Sequence, residues 1–173
     1  MHERVGWLKE EFDALGERFS ERASRTREYL QVMKAIWKDE VASFQGQYFS
    51  FTDLHTGPLP VQKPHPPILF GGESLPALKR VADLGDGWLP GPVSLEVFQE
   101  RTDKLTALMK ERGRDFSQLF ISASGDVNDL KQNPEKITAL EKLGVKEIVL
   151  FMAEPDAKTT LVTMEDAAKA LIA

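Results

Sequence analysis

The chain has 173 residues, of which 42% are hydrophobic and 28% charged, and its formal net charge is −5. This composition is typical of a single globular domain, predicted here over residues 1–173, and argues against a disordered segment or a nucleic-acid-binding surface. The absence of cysteine excludes disulfides, thiolate metal sites and a cysteine nucleophile, so redox chemistry would require a bound cofactor. No apolar stretch approaches the roughly 20 residues of a membrane helix, and the N-terminus lacks the apolar region of a signal peptide. These features predict a cytoplasmic protein with no membrane partner.

The first third of the chain combines a helix with a hairpin. Apolar residues recur three or four positions apart over residues 19–37, which predicts a long amphipathic helix. Aromatic-rich segments on either side of Gly46 predict a short hairpin over residues 43–51. The proline-rich residues 56–67 predict an extended loop.

A strand followed directly by a helix comes next. Residues 68–70 form a compact apolar run that predicts a strand buried on both faces. After Gly71 and Gly72, Ser74 is the predicted N-cap of a helix, and Gly85 is predicted to end that helix in the left-handed position. The predicted inward face of this helix holds Leu75, Leu78, Val81 and Ala82.

Three similar units follow. Their strands are predicted at residues 87–90, 119–124 and 147–152. Their helices are predicted to begin at Ser94, at Asn133 with Pro134 in first position, and near Asp156, with stop signals at Gly113 and Gly144. A looser segment is predicted between the third strand and its helix, and the last helix is predicted to turn Leu161, Met164, Ala168 and Leu171 inward. Such alternation predicts an α/β fold with parallel strands and leaves an open sheet and a barrel both possible.

Five ordered motifs resemble one known family. They are Gly6-Trp7 with the residues up to 16, Phe19-x-x-Arg22, Ile36-Trp37, Gly46-x-Tyr48-Phe49, and residues 64–72 with 84–88. Together they resemble the luciferase-like monooxygenases, and within that family the branch that uses the deazaflavin coenzyme F-420. The resemblance implies a TIM-type (β/α)₈ barrel that binds flavin mononucleotide (FMN) or coenzyme F-420 at the carboxyl ends of its strands, where it transfers hydride or activates oxygen.

The resemblance covers only part of such a barrel. A usual barrel needs about 250 residues, and four strand–helix units with a preceding helix and hairpin insertion correspond to its C-terminal half. On this reading residues 1–5 are a leader, Gly6 and Trp7 end the fourth strand, and the earlier strands are absent, so catalytic residues are not assigned. Strands 68–70 and 147–152 would then have unpaired edges. We therefore expect a homodimer that completes a barrel or packs two sheet faces together, or alternatively a separate polypeptide that supplies the missing half.

One segment carries a candidate cofactor site. At residues 71–74 a strand ends and a helix begins, so free backbone N–H groups and the positive end of the helix dipole converge in a manner that suits a phosphate. In the family the matching Gly-Gly contacts the cofactor phosphate, which assigns that role to Gly71 and Gly72, with Glu73 and Ser74 as further donors at the helix start. Gly6 is a more distant candidate for the same phosphate. The alternative interpretation is an ordinary tight turn with a cap.

Other chemistry-bearing residues favour structural roles. Trp88 and Asp86 could line the mouth of the barrel, but a core tryptophan and a loop-holding aspartate are the favoured interpretation. His2, His55 and His65 have no paired ligand spacing, so no metal site is predicted. Hydrolase, Walker and dinucleotide-binding motifs do not occur.

Two alternative functions are therefore predicted from the sequence. The first is a flavin- or deazaflavin-dependent oxidoreductase or monooxygenase that transfers hydride between a bound coenzyme and a small-molecule substrate. The second is a non-catalytic half-barrel that forms a homodimer and has lost cofactor binding.

Overall fold

The computed structural model describes residues 1–3 and 5–171. It contains two compact units: a sheet unit, residues 1–3 and 67–173, and a hairpin unit, residues 4–66. Their folding as one domain stays a prediction. In chain order the elements are β1 (His2–Glu3), α1 (Lys9–Ala14), α2 (Arg22–Lys38), β2 (Val41–Gln45), β3 (Ser50–His55), β4 (Leu69–Gly71), α3 (Leu75–Leu84), β5 (Gly87–Leu89), α4 (Leu95–Glu111), β6 (Phe120–Asp126), α5 (Val127–Gln132), α6 (Glu135–Lys142), β7 (Val145–Phe151) and α7 (Ala157–Leu171). None of the helices in these described residues is both long and apolar enough to cross a bilayer.

The hairpin unit confirms the predicted helix and hairpin. A single 3₁₀ turn at Phe19–Glu21 leads into α2, and β2 pairs antiparallel with β3. Glu28 on α2 is only 8% exposed, and its carboxylate accepts hydrogen bonds from the backbone N–H groups of Gln47, Tyr48 and Phe49 at 2.9, 2.7 and 2.7 Å. Burial opposes ionisation of this carboxyl, but the three hydrogen bonds outweigh it and hold the pKa of Glu28 below its usual value. The helix and the hairpin turn are thereby joined through one carboxylate.

This arrangement predicts an acid-sensitive contact. A carboxylate whose pKa is lowered in the folded state stabilises the protein above its unfolded pKa of 4.5, and the contribution is lost as the pH falls through the folded pKa. Glu28→Gln should lower the midpoint of thermal unfolding at neutral pH by several degrees, because a neutral amide accepts weaker bonds and brings its own N–H donors against the backbone donors. Between about pH 6 and about pH 3, the unmodified chain should lose more stability than the variant. Glu21→Gln, at an exposed pair with Arg18, is the control and should change neither quantity.

The sheet unit confirms the predicted α/β fold of successive strand–helix units. Its strands are all parallel in the order β1-β4-β5-β6-β7. The predicted unpaired edge at residues 68–70 is wrong, because the N–H of Leu69 donates to the carbonyl of Met1 at 2.8 Å and β1 pairs with β4. His2 and Glu3 therefore form a strand of the sheet. This strand was not predicted, because two residues are too few to show the alternating pattern that identifies a strand.

The first strand–helix unit departs from the prediction at two positions. Leu75 is 52% exposed, whereas Ala77 is buried with Leu78, Val81 and Ala82. Leu75 is the first residue of α3, and helix side chains tilt toward the N-terminus, so no preceding turn lies beneath it. Gly85 ends the helix, but with φ −80° and ψ 145° and not in the left-handed region. Glycine is required there by close packing, because a Cβ would lie 2.9 Å from the Val81 carbonyl oxygen.

The remaining units confirm the predicted strands and most of the caps. Ser94 caps α4, and Gly113 and Gly144 have φ +66° and +87°. The looser segment is in fact helix α5, capped by Asp126, which accepts from the N–H groups of Asn128 and Asp129 at 2.9 and 3.0 Å. The prediction missed this helix because its six residues are too few to show a period.

The predicted cap of α6 is wrong. The side-chain amide of Asn133 donates backward to the carbonyl and carboxylate of Asp129 at 3.1 and 2.9 Å, which closes α5. Pro134 occupies the N-cap position, and the helix begins at Glu135.

The predicted inward face of the last helix is also wrong. Asp156 begins α7 as predicted, with its carboxylate accepting from the N–H of Thr159 at 2.9 Å. Leu161 and Met164 are, however, 61% and 49% exposed, and Ala167 is the buried residue. The helix contacts α5, and a small residue permits this close helix–helix approach. Ala168 is exposed as well, and Leu171 is half-buried.

Candidate functional site

The candidate site is the glycine turn, residues 71–74, between β4 and α3. Gly72 has φ +98°, a conformation that glycine adopts without strain, and a Cβ there would lie 3.2 Å from the Cβ of Ala77. Ser74 is the N-cap of α3, as predicted, and its hydroxyl accepts from the N–H of Ala77 at 3.4 Å. The turn therefore combines a tight backbone with the capped start of a ten-residue helix.

Two backbone donors of the glycine turn are free within the described residues, because neither the N–H of Glu73 nor the N–H of Ser74 has a protein acceptor. The N–H of Gly72 faces the Leu89 carbonyl in the parallel pairing of β4 with β5. The positive end of the α3 dipole lies at the same place. The arrangement can bind an anion through the backbone alone.

Trp88 determines how the glycine turn is oriented. Its indole N–H donates to the carbonyl oxygen of Gly72 at 2.9 Å, and its ring is fully buried against Phe98 with centroids 5.4 Å apart. In a trans peptide the carbonyl and the following N–H point in opposite directions. The N–H of Glu73 therefore points away from the buried indole, which orients it for a ligand. Trp88 is a core residue, as favoured, and it also orients the turn.

The carboxylate of Glu73 is engaged within the protein. It accepts a hydrogen bond from the backbone N–H of Gly91, in the loop that follows β5. The glycine turn is thus connected to the next strand end through this side chain. Asp86 has the predicted loop-holding role, because its carboxylate accepts from the N–H of Ile68 at 2.9 Å, just before β4.

Gly6 belongs to the hairpin unit, whereas the glycine turn belongs to the sheet unit, and a contact of Gly6 with the phosphate stays a prediction. Gly6 has φ +80°, and a Cβ would lie 2.7 Å from the ring of Phe12. Local packing therefore accounts for glycine at this position.

In the part of the chain that the structure describes, metal-ligating groups are not brought together. His65 contacts the Trp37 ring, with centroids 6.3 Å apart, and its Nδ1 lies 3.0 Å from the Pro66 carbonyl oxygen. The side chain of His2 lies outside the described residues. Among those described, no group of three or more histidine, aspartate or glutamate side chains could hold a metal ion.

A pocket of about 300 Å³ adjoins the loop that Glu73 holds. It lies at the carboxyl ends of β5 and β6, and its lining includes Gly91, Ser94, Phe98, Ser124 and Lys136. The Ser124 hydroxyl donates to the Pro90 carbonyl at 3.0 Å, and Lys136 pairs with Asp129 at 2.7 Å. Ser124 and Lys136 were missed in the sequence, where no motif separates them from surface residues. Ser124 lies near the carboxyl end of β6, and Lys136 lies on α6, in the connection from β6 to β7. This position beyond the end of a parallel strand is the signal that could have identified them.

Comparison with known proteins identifies the family of this chain. The family model described as luciferase-like monooxygenase matches residues 5–150. An FMNH₂-dependent dimethylsulfone monooxygenase of Pseudomonas putida is 33% identical over 111 residues, which cover 62% of this chain and 31% of that protein. An uncharacterized protein of Mycobacterium tuberculosis is 30% identical over 153 residues, covering 88% of this chain and 52% of that protein. The chain thus spans between about a third and about half the length of these curated relatives.

Solved structures share the fold. Monooxygenase RslO1 from Streptomyces bottropensis superposes with a TM-score of 0.74 at 17% identity, covering 96% of this chain and 66% of that one. The coenzyme F-420-dependent tetrahydromethanopterin reductase of Methanopyrus kandleri gives a TM-score of 0.72 at 16% identity, with coverages of 96% and 71%. The α/β fold of this chain therefore matches part of the larger fold of these proteins.

Proposed function

Because the chain belongs to the luciferase-like monooxygenase family, we propose that it binds FMN or coenzyme F-420 and serves an oxidoreductase reaction with hydride transfer to or from that coenzyme. Relatives named as FMNH₂-dependent and F-420-dependent enzymes support both coenzymes as candidates. The substrate is proposed to be a small molecule, since the pocket at the carboxyl ends of β5 and β6 holds about 300 Å³.

The observation that carries this proposal is the set of free donors in the glycine turn. The N–H groups of Glu73 and Ser74 would hold the coenzyme phosphate at the start of α3. Gly71 and Gly72 would allow the phosphate to approach the backbone, because no Cβ stands in its way. Gly6 is proposed as an additional contact. The donor set fits an anion without any lysine or arginine, as backbone sites for phosphate commonly do.

The chain's own groups would act by binding and orientation. Trp88 holds the Gly72 carbonyl at 2.9 Å and thereby keeps the Glu73 N–H directed at the phosphate. Glu73 holds the loop at Gly91, which lines the pocket proposed for substrate. When bound, the coenzyme supplies the hydride chemistry, and fixing its phosphate sets where its reactive ring lies relative to the substrate.

A direct test compares FMN with riboflavin, which has the same ring but lacks the phosphate. Titration of the full chain, followed by flavin fluorescence at fixed ionic strength, should give a dissociation constant for FMN at least about tenfold below that for riboflavin, and inorganic phosphate should compete with FMN. Coenzyme F-420 is titrated in parallel. Equal affinities for FMN and riboflavin would contradict the phosphate assignment. No binding of either coenzyme at about 1 mM, near −4 kcal/mol, would favour the non-catalytic alternative.

Glu73 provides a prediction about charge at this site. Glu73→Gln keeps an oxygen that can accept from the Gly91 N–H but removes a negative charge beside the proposed phosphate. We expect FMN to bind about three- to fivefold more tightly, which corresponds to about 1 kcal/mol between exposed charges at this range. Glu73→Ala is the comparison variant and should bind FMN less tightly than Glu73→Gln, because the loop at Gly91 loses its anchor. Tighter FMN binding by both variants alike would show that the Gly91 contact is not needed.

We also propose a homodimer. Among the described residues no strand pairs with the outer side of β7, and apolar side chains are exposed on this strand and the following helix: Phe151 is 52%, Leu161 61% and Val162 52% exposed. A second copy that covers them would remove an unpaired edge and an apolar patch together. Light scattering should give twice the chain mass of 19.4 kDa, and Phe151→Lys should reduce it to one chain. A single-chain mass with cooperative unfolding would refute the dimer.

A further inference from the structure

Hydrogen bonds join three successive strand ends of the sheet unit. Ser124 lies near the carboxyl end of β6, Gly91 lies in the loop that follows β5, and Glu73 lies in the glycine turn after β4. The peptide group between Pro90 and Gly91 is called the loop peptide below. We propose that Ser124 is a positioning residue for the coenzyme phosphate, because it fixes the loop peptide that holds the Glu73 carboxylate. This inference rests on the proposed function.

The loop peptide is hydrogen-bonded at both of its polar atoms. The Ser124 hydroxyl donates to its carbonyl oxygen at 3.0 Å, and its N–H donates to the Glu73 carboxylate. The carbonyl and the N–H of one trans peptide point in opposite directions, so fixing the carbonyl also fixes the direction of the N–H. A hydrogen bond accepted by the carbonyl also strengthens the bond that the N–H donates. The Ser124 hydroxyl therefore acts on the Glu73 carboxylate through a single peptide group.

Packing around the loop peptide restricts other arrangements. Pro90 is fully buried, and its ring limits the backbone before the loop peptide. Ser124 and Glu73 are half-buried. A Cβ at Gly91 would lie 3.1 Å from a carboxylate oxygen of Glu73, so this carboxylate lies directly against the loop. The loop peptide therefore determines where the carboxylate is held.

The position of this carboxylate matters because Glu73 is the acidic residue of the glycine turn. The free N–H groups of Glu73 and Ser74 form the proposed phosphate site, and a carboxylate near a phosphate repels it. The N–H of the loop peptide holds the carboxylate at the loop after β5 by a charge-assisted hydrogen bond. A carboxylate released from this bond is free to approach the phosphate site. Ser124 thus favours phosphate binding without contacting the phosphate.

A double-mutant cycle in the full chain tests this inference. Ser124→Ala should weaken FMN binding by about three- to fivefold, because the Glu73 charge is no longer held away from the phosphate. Riboflavin, which lacks the phosphate, should bind as it does to the unmodified chain. When Glu73→Gln is already present, Ser124→Ala should change FMN affinity by less than about 1.5-fold, because no charge is left to position. Equal losses of FMN affinity with and without Glu73→Gln would overturn the inference.

Two further substitutions separate the Ser124 hydroxyl from a general effect of mutation in β6. Ser124→Thr keeps a hydroxyl and should retain FMN affinity. Ser122→Ala is the matched control, because the Ser122 hydroxyl lies two residues earlier in the same strand and donates to the Glu147 carboxylate at 2.8 Å. This control should leave FMN affinity unchanged. A loss in either variant as large as that in Ser124→Ala would refute the role of the hydroxyl.

Amide exchange of Gly91 provides a readout that needs no coenzyme. Ser124→Ala should make the Gly91 N–H exchange with solvent at least about threefold faster, because the loop peptide is held less firmly, whereas Ser122→Ala should not. Unchanged exchange in Ser124→Ala would refute the link between Ser124 and the Glu73 contact. Failure of the unmodified chain to bind FMN would refute the proposed function together with the role at the phosphate. FMN binding that Ser124→Ala leaves unchanged would refute this inference alone.

Discussion

Gly72→Val should reduce FMN affinity by about 100-fold or more. The φ of +98° at Gly72 is strained for a β-branched residue, and a Cβ would meet the Ala77 side chain at 3.2 Å, so the glycine turn must change shape to accommodate valine. Such a change displaces the N–H groups of Glu73 and Ser74 from the proposed phosphate. Two hydrogen bonds to a charged group account for an effect of this size.

The matched control for this variant is Gly113→Val. Gly113 also has positive φ, +66°, but a Cβ there has open space and the residue lies beyond the C-terminal end of α4. The Gly113→Val substitution introduces comparable backbone strain away from the glycine turn. It should therefore lower the free energy of unfolding and leave FMN affinity unchanged. Equal loss of FMN binding in both variants would mean that unfolding, and not the glycine turn, causes the effect. Unchanged FMN binding in Gly72→Val would show that the phosphate lies elsewhere.

Trp88→Ala should lower the free energy of unfolding by about 3–5 kcal/mol, the range for removing a large aromatic side chain from a core. The side chain is fully buried, packs on Phe98 and donates to the Gly72 carbonyl. Urea denaturation of the full chain measures the effect, and Trp7→Ala is the control, because Trp7 is 83% exposed and its removal should change stability by no more than about 0.5 kcal/mol. Similar losses in the two variants would contradict the core assignment.

Trp88→Phe separates packing from orientation. Phenylalanine retains an aromatic ring against Phe98 but has no N–H for the Gly72 carbonyl, so it should cost less stability than alanine does. We nevertheless expect weaker FMN binding in this variant, because the peptide between Gly72 and Glu73 is no longer held in one orientation. Wild-type affinity in Trp88→Phe would indicate that the indole N–H does not position the turn.

Features that depend on neighbouring residues could be predicted from the sequence. The caps at Ser74 and Ser94 and the left-handed glycines at 113 and 144 follow from local backbone geometry, and the structure confirms them. The alternation of apolar runs and amphipathic helices likewise gave the correct fold class, and ordered motifs along the chain indicated the family that residues 5–150 match. Gly71 and Gly72 could be singled out because a strand end and a helix start adjoin in the chain itself.

Features that depend on distant residues required the tertiary structure. The Trp88 contact to Gly72 joins residues 16 apart, and the Glu73 contact to Gly91 joins residues 18 apart. No local pattern predicts such pairs, because parallel strands bring their ends together only after the crossover helices have packed. The same reason applies to Met1 beside Leu69 and to the inward face of α7. The sequence by itself determined most of the elements, their order and the family, whereas the short elements β1 and α5 and the orientation of side chains were decided by packing, which depends on the whole arrangement of elements.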